Sequence, residues 1–144
     1  MTDVFKKVLM IDDDRINNGL NAIVIKNCFK PYSIAITSFT DPQAGVEYIA
    51  EHFSIAEEVP TLLFLDINMP ELTGWDVLDK IKSLNAAQIQ HITIYILSSS
   101  IDPADIIRAN ANPLVKGFIS KPLAPHLASI FSETLHAMQE HIVV

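Results

Sequence analysis

Short apolar runs that alternate with longer amphipathic stretches are the feature that most constrains how this chain can fold. Five of the runs have the length and composition of strands. Three of them are nearly continuous, which is typical of strands buried on both faces of a parallel sheet. The predicted strands are residues 7–11, 34–39, 61–65, 93–97 and 117–120.

The stretches between the strands predict helices. Asp41 and Asp102 each precede a proline, which places a capping carboxylate before a proline in the first helical turn. Five strands that alternate with five helices predict a doubly wound α/β domain around a parallel sheet. Because no repeat or linker interrupts the pattern, we expect a single domain over residues 1–144 without an output domain. The predicted helices are residues 15–29, 42–53, 75–84, 103–111 and 125–141.

The charge balance is acidic, with 17 Asp and Glu against 10 Lys and Arg. Proteins that bind nucleic acid neutralise phosphates with clustered Lys and Arg, and this sequence has no such cluster. We therefore predict no direct nucleic-acid partner. The first apolar run stops at three aspartates, so we expect neither a signal peptide nor a membrane span. A cytoplasmic location is the resulting expectation.

Polar side chains follow four of the predicted strands. Asp12 and Asp13 follow the first strand, Asp66 the third, Ser98 the fourth and Lys121 the fifth. Ligands of open parallel sheets bind beyond the carboxyl ends of the strands, so we expect these groups to converge at one rim. Each residue alone is typical of a turn or a helix cap, and only the joint pattern carries the prediction.

The converging groups suit phosphoryl transfer. Carboxylates that lie close together stay ionised around a hard cation, and Mg²⁺ binds one or two carboxylates together with water and phosphate oxygens. An aspartate can act as a nucleophile and form an acyl phosphate. Metal, ammonium and hydroxyl groups then stabilise the phosphoryl oxygens. The sequence therefore predicts a Mg²⁺ site at which one aspartate is phosphorylated.

Four motifs, VLMIDDD, LLFLDINMPELTGWDVL, IYILSSS and GFISKPL, make the sequence similar to the receiver domain of bacterial two-component response regulators, in its single-domain form. The second motif is the most specific, because Asp66, Met69-Pro70 and Gly74 match the phosphorylation loop of that family. The resemblance spans essentially the whole chain. It implies a flavodoxin-like sheet with strand order 2-1-3-4-5.

The resemblance also implies a role for each residue of the predicted site. One aspartate accepts the phosphoryl group, a carboxylate set binds Mg²⁺, and a hydroxyl and an aromatic residue form a switch. The implied assignments are Asp66 as phosphoacceptor, Asp12, Asp13, Asp66 and the backbone carbonyl of Asn68 as Mg²⁺ ligands, Lys121 as the partner of the phosphoryl group, Ser98 as the hydroxyl that moves toward it, and Phe118 as the aromatic side chain that rotates.

The switch hydroxyl has two candidates. Ser98 directly follows the apolar strand, and the next position in the family is small, as Ser99 is. Counting back from Lys121 favours Ser99 instead, unless residues 112–115 include one extra residue. We choose Ser98 and keep Ser99 as the alternative.

The resemblance implies partners as well. A sensor histidine kinase or a phosphotransfer protein is expected to donate the phosphoryl group, and another protein is expected to receive the signal. The responding surface is expected at the fourth and fifth predicted helices and the fifth strand, at about residues 103–119 and 125–141. The sequence leaves both a monomer and a phosphorylation-dependent homodimer open, and it predicts no enzyme beyond the chemistry of its own phosphorylation.

Two alternatives compete with this interpretation. A haloacid-dehalogenase-type phosphatase would use Asp12 as its nucleophile, but it requires acidic metal ligands after Lys121 and leaves Asp66 unexplained. A degenerate receiver would act only as an interaction module. Steady turnover of a phosphate ester would indicate the phosphatase, and the absence of a response to Mg²⁺ would indicate the degenerate receiver.

Overall fold

A computed structural model of the chain describes residues 4–52 and 59–143. Its five strands form one parallel sheet in the order β2-β1-β3-β4-β5. The predicted fold class and strand order are therefore confirmed. The strands are β1 Lys7–Ile11, β2 Ala35–Phe39, β3 Thr61–Leu65, β4 Ile92–Ser98 and β5 Val115–Ser120.

The five predicted helices are present, and one further turn of helix is found. Phe53, at the predicted end of the second helix, lies outside the described residues. The last predicted helix begins with a 3₁₀ turn at Ala124–His126. No helix in the part of the chain that the structure describes is long and apolar enough to cross a membrane. The helices are α1 Arg15–Phe29, α2 Pro42–His52, α3 Gly74–Lys82, α4 Ala86–Ile89, α5 Pro103–Ala111 and α6 Leu127–Val143.

The core consists of two apolar layers, one on each face of the sheet. Successive strand residues point to opposite faces, so a strand buried on both sides must be apolar throughout. All five residues of β3 are buried, which explains the uninterrupted run TLLFL. Leu63 and Leu65 pack in the layer with α2 and α3, whereas Leu62 and Phe64 pack in the layer with α1 and α6. The rim above the carboxyl ends stays open for polar groups.

The fifth strand begins two residues earlier than predicted. A β-bulge falls between Val115 and Gly117, where the register against Ile94 and Tyr95 of β4 shifts by one residue. Such a bulge breaks the regular alternation on which the sequence prediction depends. The extra residue is Lys116, which lies one position beyond residues 112–115.

Candidate functional site

Two buried carboxylates meet at the carboxyl end of the sheet. Asp12 follows β1 and Asp66 follows β3, and these strands are adjacent and in register through Ile11 and Leu65. The Asp66 amide donates to the Ile11 carbonyl at 3.0 Å, which continues the ladder past the strand ends. Only 5% of Asp12 and 7% of Asp66 is exposed. The pairing of β1 with β3 therefore places both side chains side by side.

Asp13 completes a cluster of three carboxylates. One carboxylate oxygen of each of Asp12, Asp13 and Asp66 lies within 4.8 Å of the other two. Asp13 is exposed, so the cluster opens to solvent on that side. A partly hydrated hard cation such as Mg²⁺ fits this set, because it binds a few carboxylates and keeps several waters. The structure thus brings together the three carboxylates predicted to bind the metal.

Lys121 balances part of this negative charge. Its Nζ lies 2.9 Å from Asp12 Oδ2 and 3.8 Å from Asp66 Oδ2. The Lys121 amide donates to the Ser98 carbonyl at 2.9 Å, which fixes the lysine at the end of β5. The Lys121–Pro122 peptide bond is cis. The two distances place the ammonium group beside both buried carboxylates, nearer to Asp12 than to Asp66.

Burial raises the pKa of Asp66 above the ordinary value for an aspartate. The positive charge of Lys121 opposes this shift, and the negative charge of Asp12 adds to the rise in pKa. The amides of Asn68 and Ile67 hydrogen-bond to Asp66 and lower its pKa. The net direction is upward, so the ionised carboxylate is held at some cost in free energy. A bound cation would relieve that cost.

The hydroxyl of Ser98 lies inside the protein, whereas Ser99 is exposed. Ser98 ends β4 with no exposed surface and pairs in register with Ser120 of β5. Its Oγ accepts a hydrogen bond from the Ser100 amide at 3.1 Å. β4 lies beside β3, so Ser98 reaches the same rim as Asp66.

The loop after Asp66 is held close to the carboxylate. Met69 is buried and anchors the loop in the core, and Asn68 is exposed with its amide 3.4 Å from Asp66 Oδ1. A Cβ atom on Gly74 would lie only 2.5 Å from the Asp66 carbonyl oxygen, so this close approach requires glycine. Thr73 then caps α3 in a capping box with Asp76. The role of the Asn68 carbonyl as a metal ligand stays a prediction.

Phe118 lies in β5, three residues before Lys121. It is half-buried and packs against the layer of the core that includes Ile96, its register partner in β4. The structure therefore places the predicted aromatic switch residue in a strand that β4 separates from β3, on the side where α5 packs. Its rotation stays a prediction.

Asn18 is a site residue that the sequence patterns did not reveal. Its side chain is buried, and its Nδ2 donates to the Asp12 carbonyl at 2.9 Å. The buried residues of α1 are Asn18, Ile25 and Phe29, which share one helix face. A polar residue on an otherwise apolar face is the signal that could have identified it.

The sequence comparisons define the class of protein. The family model of the response regulator receiver domain matches residues 8–129. The chain belongs to this family, whose members are generally signalling modules and not enzymes. The match favours a receiver domain over the haloacid-dehalogenase-type alternative.

Curated relatives agree with the family. The chain is 26% identical over 119 residues to the probable methanogenesis regulatory protein FilR2 of Methanothrix harundinacea. This match covers 81% of this chain and 72% of that protein. It is 25% identical over 117 residues to the two-component response regulator ORR1 of Oryza sativa subsp. japonica. That match covers 81% of this chain but only 49% of the rice protein, so the chain spans about half of that relative.

Solved structures share the fold. The crystal structure of a two-component response regulator from Cytophaga hutchinsonii has a TM-score of 0.78 and 31% identity, over 92% of this chain and 98% of that one. A response regulator receiver protein from Dyadobacter fermentans has a TM-score of 0.72 and 21% identity, over 87% and 97% of the two chains.

Proposed function

We propose that this chain accepts a phosphoryl group on Asp66 in a Mg²⁺-dependent reaction and passes the signal to another protein. The observation that carries the proposal is the buried Asp66 carboxylate, which clusters with Asp12 and Asp13 and lies 3.8 Å from the ammonium nitrogen of Lys121. The proposed metal ligands are Asp12, Asp13, Asp66 and the Asn68 backbone carbonyl. A bound Mg²⁺ supplies positive charge to the oxygens of the phosphoryl group.

The residues of the chain then have distinct parts in the transfer. An Asp66 oxygen attacks the phosphorus of a phosphohistidine, so the O–P bond forms while the N–P bond breaks. The leaving imidazole takes its proton from solvent. Lys121, which now contacts Asp12 and Asp66, is close enough to pair with the new phosphoryl oxygens. The Ser98 hydroxyl donates a hydrogen bond to another oxygen of the phosphoryl group. The burial of Ser98 at the rim supports this assignment, because the alternative residue Ser99 is exposed.

The proposed donor is a sensor histidine kinase or a phosphotransfer protein in the cytoplasm. Ile16, Leu20 and Ile23 are 74%, 56% and 56% exposed and share one face of α1, at i, i+4 and i+7 spacing. A cleft of about 490 Å³ lies between α1 and residues 121–124, next to this stripe. An apolar stripe of this kind marks a binding surface. A helical donor that packs there would bring its phosphohistidine to the rim that holds Asp66.

The proposed output is a change in the surface formed by α5, β5 and α6. Attraction of the Ser98 hydroxyl to the phosphoryl group vacates space at the end of β4, and Phe118 in the next strand moves in response. Ile101 and Ile107, which are 92% and 68% exposed, lie on this side of the molecule. The net charge of −7 favours a protein target over nucleic acid. We propose that α5, β5 and α6 bind the target or a second copy of the chain.

Phosphorylation by a small acyl phosphate tests the proposal without a kinase. We expect the wild-type protein to gain one phosphoryl group by intact mass spectrometry in the presence of Mg²⁺ and none after chelation. Asp66→Asn should gain none, because the nucleophilic oxygen is replaced. Asp79→Asn changes an exposed aspartate on α3 and is the matched control, which should be phosphorylated normally. Undiminished phosphorylation of Asp66→Asn would refute the assignment, and an unreactive wild type would favour an interaction module.

A further inference from the structure

Asn18 is a buried polar side chain on the face of α1 that packs on the sheet. It is 4% exposed, six residues after Asp12, at a position where the buried pattern of α1 calls for an apolar residue. A buried amide is retained without loss of stability only when its polar atoms find partners. The partners of Asn18 therefore indicate what it does.

The amide nitrogen of Asn18 holds the ends of two strands. Nδ2 donates to the Asp12 carbonyl at 2.9 Å and to the Phe39 carbonyl at 3.4 Å. The Asp12 amide donates to the same Phe39 carbonyl at 3.1 Å. Both acceptors are carbonyl oxygens and cannot donate, so the nitrogen of the side-chain amide must face them. This contact fixes the main chain of Asp12, where the sheet ends and the metal site begins.

The amide oxygen of Asn18 faces the other way. Oδ1 is buried, and no donor in the described part of the protein reaches it. Asn18 also lines a cavity of about 10 Å³, together with Asp12, Asp66, Asn21 and apolar side chains that include Phe64. This volume is about the minimum that holds one water molecule, which needs two or more polar partners. Asn18, Asn21 and the two carboxylates supply those partners.

We propose that Asn18 is a positioning residue of the metal site, and that its Oδ1 binds a single water molecule behind Asp12 and Asp66. The inference rests on the proposed function. The water donates one hydrogen to Oδ1 and the other to a carboxylate oxygen of Asp12. Asn18 thereby orients Asp12 from both sides, through the Asp12 carbonyl and through its side chain. Groups that orient metal ligands in this way affect metal affinity although they do not touch the metal.

The proposal is tested by measuring the dissociation constant of Mg²⁺, either by NMR titration or by the fluorescence of Trp75. We expect Asn18→Ala to bind Mg²⁺ about tenfold more weakly than the wild type. Asn17→Ala, which changes the neighbouring asparagine of α1 outside the cavity, should retain wild-type affinity. A merely structural asparagine would lower Tm without changing Mg²⁺ affinity in the folded protein, and that result would overturn the proposal. A wild type that fails to bind Mg²⁺ would instead refute the proposed function.

Two further measurements remain decisive if Asn18→Ala does not fold. Asn18→Ser keeps a small polar group and leaves room for water, so it should fold and bind Mg²⁺ more weakly than the wild type. Wild-type affinity in this variant would contradict the proposal. A crystal structure of the wild type should show a water within hydrogen-bond distance of Asn18 Oδ1. An empty cavity, or a protein donor on Oδ1, would overturn the water site.

Discussion

Asp66 is the residue at which the demands of folding and function conflict. Burial and the neighbouring Asp12 raise its pKa, and Lys121 compensates only in part. Excess negative charge favours the binding of a divalent cation, but it lowers the stability of the metal-free protein. The same carboxylate therefore destabilises the metal-free fold and is the proposed nucleophile.

The raised pKa of Asp66 predicts how stability depends on pH. The folded state binds the Asp66 proton more tightly than the unfolded state, so its contribution to stability is full below the unfolded pKa and is lost as pH rises through the folded pKa. Without Mg²⁺, Asp66→Asn should therefore have a higher Tm than the wild type at neutral pH. The difference should shrink as pH falls toward the ordinary aspartate pKa of about 4.

Thermal unfolding between neutral and acidic pH, with chelator present, measures this difference. Asp79→Asn is the control, because it removes an exposed carboxylate outside the cluster. A lower Tm for Asp66→Asn at neutral pH would contradict the sign of the shift.

At the scale of single residues, the sequence predicted the side chains that come directly after the end of a strand. Asp12 and Asp66 were predicted together because parallel strands end at one rim. The choice between Ser98 and Ser99 depended on a bulge that no local pattern shows. The polar Asn18 on the apolar face of α1 could have been identified, but its contact with the Phe39 carbonyl could not, because Phe39 lies 21 residues away on another strand. The spacing of residues along the sequence does not predict tertiary contacts of this kind.

The loop between β3 and α3 depends on the close approach of Gly74 to the Asp66 backbone. A methyl group at this position meets the Asp66 carbonyl oxygen at 2.5 Å and the Ile67 Cα at 2.7 Å, and neither atom belongs to a side chain that can rotate away. We expect Gly74→Ala to lower the free energy of unfolding by about 1–3 kcal/mol. The displaced loop should also slow phosphorylation by an acyl phosphate.

Gly19→Ala is the matched control for this substitution. Gly19 lies within α1, and no atom lies within 4 Å of a Cβ built there. Alanine is the better helix former, so this variant should gain about 0.5–1 kcal/mol of stability. Urea unfolding measures both variants. Equal effects of the two substitutions would show that the close approach at Gly74 is unimportant.

A contact between α3 and α5 joins the phosphorylation loop to the proposed output surface. The Arg108 guanidinium carbon lies 4.4 Å from the centre of the Trp75 ring. Arg108→Ala should remove a cation–π contact of about 0.5–1 kcal/mol and change the emission of Trp75, the sole tryptophan. Arg15→Ala, which changes an exposed arginine of α1, should leave the emission unaltered. Identical emission of all three proteins would contradict the contact.

At the scale of elements, sequence patterns were most accurate where local signals were complete. The bounds of β1, β3, α1 and α5 match the prediction, and α5 has both the capping Asp102 and the proline that follows it. The helix α4 was missed because its four residues are too short to show a helical period. The start of β5 was missed because the bulge interrupts its pattern.

At the scale of the whole molecule, hydrogen bonds connect the rim of the sheet to α5, which is part of the proposed output surface. The Ser100 amide donates to Ser98 Oγ at 3.1 Å, and the Ser100 hydroxyl donates to Asp105 Oδ2 in the first turn of α5 at 2.6 Å. Under the proposed function, a Ser98 side chain that rotates toward a phosphoryl group changes the geometry of its hydrogen bond with the Ser100 amide. These hydrogen bonds are the proposed link between the charge on Asp66 and the first turn of α5.

The central claim is that a phosphoryl group on Asp66 changes the surface formed by α5, β5 and α6. Its most direct test is an NMR comparison of backbone amides with and without beryllofluoride and Mg²⁺, a mimic of the phosphoryl group. We predict shifts around Asp66, through Ser98 to Asp105, and along β5 to Lys121, and none of them in Asp66→Asn. Shifts confined to the residues around Asp66, with α5 and β5 unchanged, would contradict the claim.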